Sequence, residues 1–244
     1  MREDMLNKTN FRWKIVALLF VINAVNYLDR SSIAYAIDGM AIDFGFNDEQ
    51  IGWILGAFGI GYIVTTFLGG VAADKFGAKR VLTLAMILWG ITSLLTSFAN
   101  GFFLVFIARV LLGIAEGPGF PVMTRAISDW LPERERNRAL SMALIAVPLS
   151  LAIGGPISAL LIEGLTWRGA YVVLAIMAVI WLPFWLYWFK DSPKDSKHVN
   201  TQELAYIQEQ TVIESQLSSE SHPWNVLLFN KTLLVNNWAF LYSL

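Results

Sequence analysis

RVLLGIAEGPGFP, residues 109–121, is apolar enough for the interior of a bilayer and yet carries Arg109 and Glu116. It lies inside a longer apolar run, 103–127. A helix of about 20 residues matches the roughly 30 Å hydrocarbon core of a membrane. Seven residues is nearly two helical turns, so the two charges share a face about 10 Å apart. They cannot pair along one helix, and each needs a partner from elsewhere. Asp29 and Arg30, inside the first apolar run, offer complementary charge. A charge at mid-membrane costs about 2.5–3.5 kcal/mol on insertion scales. Ionisable residues kept there point to a pathway or a binding site, with a purely structural charge cluster as the alternative.

Five more runs have the same character. The complete set is 13–37, 51–73, 81–99, 103–127, 139–163 and 170–189, and a seventh begins near Thr232. The chain is 56% hydrophobic and only 15% charged, against about a quarter charged in soluble domains. The fold class is therefore an all-α polytopic membrane protein. Residues 1–189 form a six-span bundle, 190–231 a cytoplasmic linker, and 232–244 the truncated start of a seventh span. The first run is too long for a signal-peptide core and has no A-x-A site, so it stays as a span.

Charge in the connections gives the orientation. Arg2, Lys8, Arg12 and Lys14 precede the first span; Lys75, Lys79 and Arg80 follow the second; Arg134, Arg136 and Arg138 follow the fourth; Lys190, Lys194 and Lys197 follow the sixth. The opposite loop 38–50 has four acids and no base. The positive-inside rule places the N-terminus in the cytoplasm. In the linker, Asn200 with Glu203 has capping-box character, and Leu204 and Ile207 suggest a short amphipathic helix.

Several functions are disfavoured. The chain has no cysteine, and neither His198 nor His222 has a companion at ligand spacing, so no metal site or cofactor is expected. No nucleophile–base pair appears, which argues against an enzyme. A net charge of −1 gives no sign of nucleic acid. Glycine and proline gather near the charges: Gly113, Gly117, Pro118, Gly119 and Pro121 in the fourth span, Pro148, Gly154, Gly155 and Pro156 in the fifth, Gly52, Gly56, Gly59 and Gly61 in the second. Small residues allow close helix approach and Gly/Pro pairs permit bends.

The second span ends GGVAADKFGAKR, residues 69–80. Gly70, Asp74, Lys75, Gly77, Lys79 and Arg80 resemble the loop signature G-x-x-x-D-[RK]-x-G-x-[RK] of the major facilitator superfamily. LPERERNRA (131–139) resembles that family's second cytoplasmic loop, and TWRGAY (166–171) its Trp-Arg lead into the sixth span. NYLDRSSIAYA (26–36), the fourth-span stretch already quoted, and QELAYI (202–207) resemble the anion:cation symporters within it, which include hexuronate, aldonate and aldarate permeases and sialin-like carriers.

The resemblance implies the N-terminal half of a proton-coupled symporter of an organic anion, with sodium as the alternative cation, in a bacterial inner membrane. Asp29 and Glu116 would be the protonatable carboxylates, and Arg109 would pair with one and release it. Arg30 would meet the substrate carboxylate, while Tyr27 and Tyr62 would bond sugar hydroxyls. Gly70, Asp74, Gly77, Lys79, Arg136 and Arg138 would form a cytoplasmic gate, Gly70 by close packing. Family transporters have twelve spans, so a missing C-terminal half or a second copy would complete the site. The rival readings are a non-transporting half-bundle or scaffold, and a uniporter or drug:proton antiporter of the same superfamily.

Overall fold

The structure is a computed structural model and describes residues 9–208. The seventh-span start and most of the far linker lie outside the described residues. Those residues form α1 (Phe11–Phe44), α2 (Asp48–Phe76), α3 (Ala78–Ser97), α4 (Phe102–Glu116), α5 (Gly119–Trp130), α6 (Glu133–Leu144) and α7 (Ala146–Trp188). A short 3₁₀ turn, Pro193–Asp195, and a final helix, α8 (201–208), follow. No strand occurs among the described residues.

Among the described residues, five helical runs are long and apolar enough to cross a membrane, the last of them being Glu133–Trp188. At 1.5 Å per residue that run would measure roughly 84 Å, nearly three hydrocarbon thicknesses. It does not continue as one rod. Thr166 has φ 64° and ψ 169°, a backbone a β-branched residue rarely adopts. The break separates 146–165 from 167–188, giving the fifth and sixth passes. Two side chains hold it: Trp167 Nε1 donates to Asp43 Oδ2 (2.9 Å), and Arg168 Nη1 donates to the carbonyls of Ser97 (2.9 Å) and Ala99 (2.7 Å). Arg168 thereby satisfies carbonyls left open where α3 ends.

Local chemistry sets the other boundaries. Asn47 and Gln50 form a reciprocal capping box at the start of α2, with Asp48 and Glu49 in its first turn. Gly45 ends α1 at φ 69°. Gly117 and Pro118 separate α4 from α5, since proline offers no N–H to the ladder. The fourth span is therefore interrupted where its glycine–proline content permits a bend.

The packing is helix on helix. α1 lies along α7, α2 along α4, and α3 touches both α4 and α7. Large apolar side chains such as Ile63, Phe67, Leu160 and Val179 remain exposed on the outside, as expected of a surface facing acyl chains. Gly61 and Gly113 bring α2 and α4 into backbone contact, Gly61 against the Val110 carbonyl and Gly113 against the Phe58 carbonyl.

Within the linker, α8 is docked on the bundle. Asn200 caps it, accepting from Glu203 N (2.8 Å). Glu203 does not return the favour. Its fully buried carboxylate instead accepts from Phe11 N (2.9 Å), Arg12 N (3.1 Å) and the Thr9 hydroxyl, and so caps α1. Arg12 reaches back to Glu203 (2.9 Å) and across to Glu135 on α6 (2.7 Å). Tyr206 donates to Glu135 (2.7 Å). Burial and that carboxylate push the Tyr206 phenol up, so its donor proton stays in place.

Removing Glu203 strips a carboxylate from the buried Arg12 and leaves it with Glu135 and the Asn10 side chain. Glu203→Ala is expected to cost about 3–5 kcal/mol, the range for breaking a buried pair. Glu203→Gln, which keeps an acceptor for the α1 amides, should recover part of that loss. Thermal midpoints of the detergent-purified protein check both.

Candidate functional site

Between α1, α2, α3, α4 and α5 lies a cavity of about 100 Å³, with Asn26, Tyr27, Arg30, Tyr62, Trp89 and Glu116 among its lining residues. Three of the four intramembrane charges are fully or almost fully buried: Asp29, Arg109 and Glu116. The fourth, Arg30, keeps a 20% exposed side chain and reaches the cavity.

Arg30 Nε donates to Glu116 Oε2 at 2.7 Å. Its guanidinium carbon sits 4.8 Å from the Tyr27 ring centre, 4.8 Å from Phe58 and 4.4 Å from Tyr62. Aromatic faces attract a cation, more strongly when it is partly desolvated. The rings and the carboxylate together fix a charge that still borders the cavity. The Gly113–Phe58 contact matters here, because it holds Phe58 and Tyr62 on α2 against the helix that carries Glu116.

Asp29 points the other way. Trp89 Nε1 donates to its Oδ2, and Ser93 Oγ donates to the same oxygen at 3.3 Å. Arg109 lies near enough to both carboxylates to act on them electrostatically, with its guanidinium carbon 5.3 Å from the Phe58 ring. Among the described residues it makes no ion pair within 4 Å, and its Nε and Nη1 have no hydrogen-bond partner. This corrects the expectation that Arg109 holds a carboxylate directly, since Arg30 takes that place on Glu116. Arg30 reaches across from α1 to Glu116 on α4, whereas Arg109 stands two turns from Glu116 on α4 itself, with its guanidinium carbon over the Phe58 ring.

Sequence reasoning missed Phe58 and Trp89. Both look like packing in an apolar run, and only their positions opposite Arg30 and Asp29 reveal a polar role.

The residues expected to form a gate divide into three groups at the basic end of the bundle. Asp74 Oδ1 accepts from Arg125 Nη1 on α5 (2.7 Å), and Arg125 also pairs with Asp129 (2.9 Å). The partner of Asp74 thus lies in this half. Gly77, at φ 86°, leaves room for Asp191, whose carboxylate lies 2.8 Å from where a Cβ would stand. Asp191 Oδ1 accepts from Lys79 N (2.7 Å) and so caps α3, while Lys79 Nζ donates to the Leu186 carbonyl (2.8 Å). Arg136 donates to the Leu131 carbonyl (3.1 Å), and Arg138 lies over Trp13 at 5.3 Å. Gly70 is not the close-packing glycine. A Cβ there would make ordinary contact with Pro121 at 3.6 Å, whereas at Gly69 it would meet Pro118 Cα at 2.6 Å.

The chain is 32% identical over 227 residues to the hexuronate transporter of Bacillus subtilis, covering 93% of this chain and 51% of that protein. It is 32% identical over 209 residues to the probable galactarate/D-glucarate transporter GudP of the same organism, covering 83% and 46%. It spans about half the length of these curated relatives, which are transporters and not enzymes. In three dimensions it resembles the xylose transporter XylE from E. coli in a partially occluded inward-open conformation. The TM-score is 0.70 at 17% identity, covering 92% of this chain and 61% of that one. The family model described as Major Facilitator Superfamily matches residues 19–244, so the chain belongs to the major facilitator superfamily.

Proposed function

We propose that the chain is the N-terminal half of a secondary transporter that carries an organic anion, a sugar acid or related carboxylate, together with a proton by alternating access. The observation that carries this reading is the Arg30–Glu116 pair, buried on the carboxylate side and open to a cavity on the arginine side. The cavity is small, about 100 Å³. The rest of the site comes from a further six-span half or from a second copy of this chain. Relatives named for hexuronate and for galactarate and glucarate transport support the substrate class.

The mechanism follows from electrostatics. An ionised Glu116 is tolerated at its buried position because Arg30 faces it. An entering carboxylate competes for the same guanidinium, whose forked donors suit it. Glu116, losing its counter-charge, becomes costly to keep ionised and takes up a proton. Anion and proton are bound together, and the neutralised site passes through the closed state between two rocking halves. The basic end faces the cytoplasm by the positive-inside rule, in a bacterial inner membrane. Residues 190–231, which include the docked α8, link the halves, and Asp74, Gly77, Lys79 and Arg136 act where the halves meet.

The test is uptake of labelled organic acids into proteoliposomes that hold this chain with its partnering half, with and without a pH gradient. A sugar acid accumulates when the outside is acid, and the matching neutral sugar does not. Sodium-driven uptake would replace the proton, a flat pH profile would favour a uniporter, cation export an antiporter, and no flux a scaffold.

A further inference from the structure

Asp29 contributes nothing to the cavity wall, but Trp89 does. The indole of Trp89, itself 2% exposed, stands on α3, lines the cavity and donates its N–H to Asp29 Oδ2. One turn further along α3, Ser93 donates to that same oxygen. The other oxygen, Oδ1, is buried and has no hydrogen-bond partner among the described residues. An indole N–H can only donate. The oxygen it holds must therefore stay an acceptor, whatever the protonation state of the carboxyl group.

We propose that Trp89 is a positioning residue for proton coupling: it reserves Oδ2 of Asp29 as an acceptor, directs an incoming proton to Oδ1, and separates that carboxyl group from the substrate cavity. This rests on the reading of Asp29 as a proton-carrying group. On protonation the new O–H forms at Oδ1 and the side chain becomes neutral, while the Trp89 bond to Oδ2 persists. The charged groups facing Asp29 are Arg30 on its own helix and Arg109 and Glu116 on α4; Tyr171 on α7 is the remaining titratable neighbour. α3 brings no charge of its own to this point, only the Trp89 and Ser93 donors.

Trp89→Phe keeps the ring and removes the donor. The ionised carboxylate then loses a hydrogen bond that favours it, so Asp29 protonates more readily. The midpoint of its titration should move to higher pH by about one to two units. Ser93→Ala should move it the same way by less, because that bond is longer. The readout is isotope-edited infrared titration of the Asp29 carboxyl band in the nanodisc-reconstituted protein, with the Asp29→Asn variant identifying the band. The pH profile of uptake by the assembled carrier gives a second readout. An unmoved Asp29 midpoint in Trp89→Phe overturns the inference. If the midpoint moves but Asp29→Asn leaves the uptake profile intact, the positioning role stands and the reading of Asp29 as a coupling group fails. Should Trp89→Phe not fold, Ser93→Ala decides the point: no shift there overturns the shared-oxygen arrangement.

Discussion

Glu116→Gln is expected to abolish pH-driven accumulation while sparing exchange of labelled for unlabelled substrate. The amide has nearly the shape of the acid and can still accept from Arg30 Nε, which lies 2.7 Å from Oε2 in the native protein. What it cannot do is gain and lose a proton in this pH range. One coupled proton supports up to about tenfold accumulation per unit of pH gradient, since one unit is worth 1.36 kcal/mol. In the variant that factor should fall to one. Counterflow needs only the anion site, and it should persist because the cavity wall is unchanged. Uphill uptake that survives in Glu116→Gln would remove this residue from the coupling step.

The second large effect concerns packing. At Gly113 a Cβ would run into the Phe58 carbonyl and stand 2.9 Å from Tyr62 N. Both obstacles are backbone, so no rotamer change relieves them. Gly113→Ala must push α2 away from α4, and with it the two rings that flank Arg30. Overpacking in a filled interior costs about 1–3 kcal/mol and occasionally more; here, between two backbones, the upper end is expected. Loss of substrate affinity should accompany loss of stability. Gly59→Ala is the control. Nothing lies within 4 Å of a Cβ at that position, and alanine is the better helix former by up to about 1 kcal/mol. Thermal unfolding of the two purified variants should therefore shift in opposite directions or, for Gly59→Ala, stay level.

The passes and the clustered charges were legible in the sequence because the bilayer imposes a length and a penalty. A run of about 20 apolar residues has few other uses, and an arginine inside one must have a partner. The identity of that partner was not legible. Arg30 and Glu116 are 86 positions apart, and periodicity along one helix carries no information about which neighbour it meets. The resemblance implies the pairing role for Arg109, and the geometry gives the contact with Glu116 to Arg30. Gly69 and Gly70 show the same limit at finer scale. Adjacent helical positions differ by about 100° in direction, so only the packed structure tells which one faces Pro118. Phe58 and Trp89 were hidden for another reason. A ring inside an apolar span serves equally as filler or as a partner for a cation or carboxylate, and composition cannot separate the two. The role of Glu203 was half visible: its spacing from Asn200 marked a helix start, but its carboxylate serves a different helix.

The Glu203 contact has a consequence for synthesis. The amides that open α1 are capped by a residue made 192 positions later. At about 5–20 residues per second, translation takes roughly 10–40 s to cover that distance. Throughout that interval the first helix emerges, enters the translocation machinery and meets its neighbours with those N–H groups unsealed. Its early insertion must be secured by the apolar length of the segment alone, and the seal is the last stitch of the bundle, closed only when all six passes have been made.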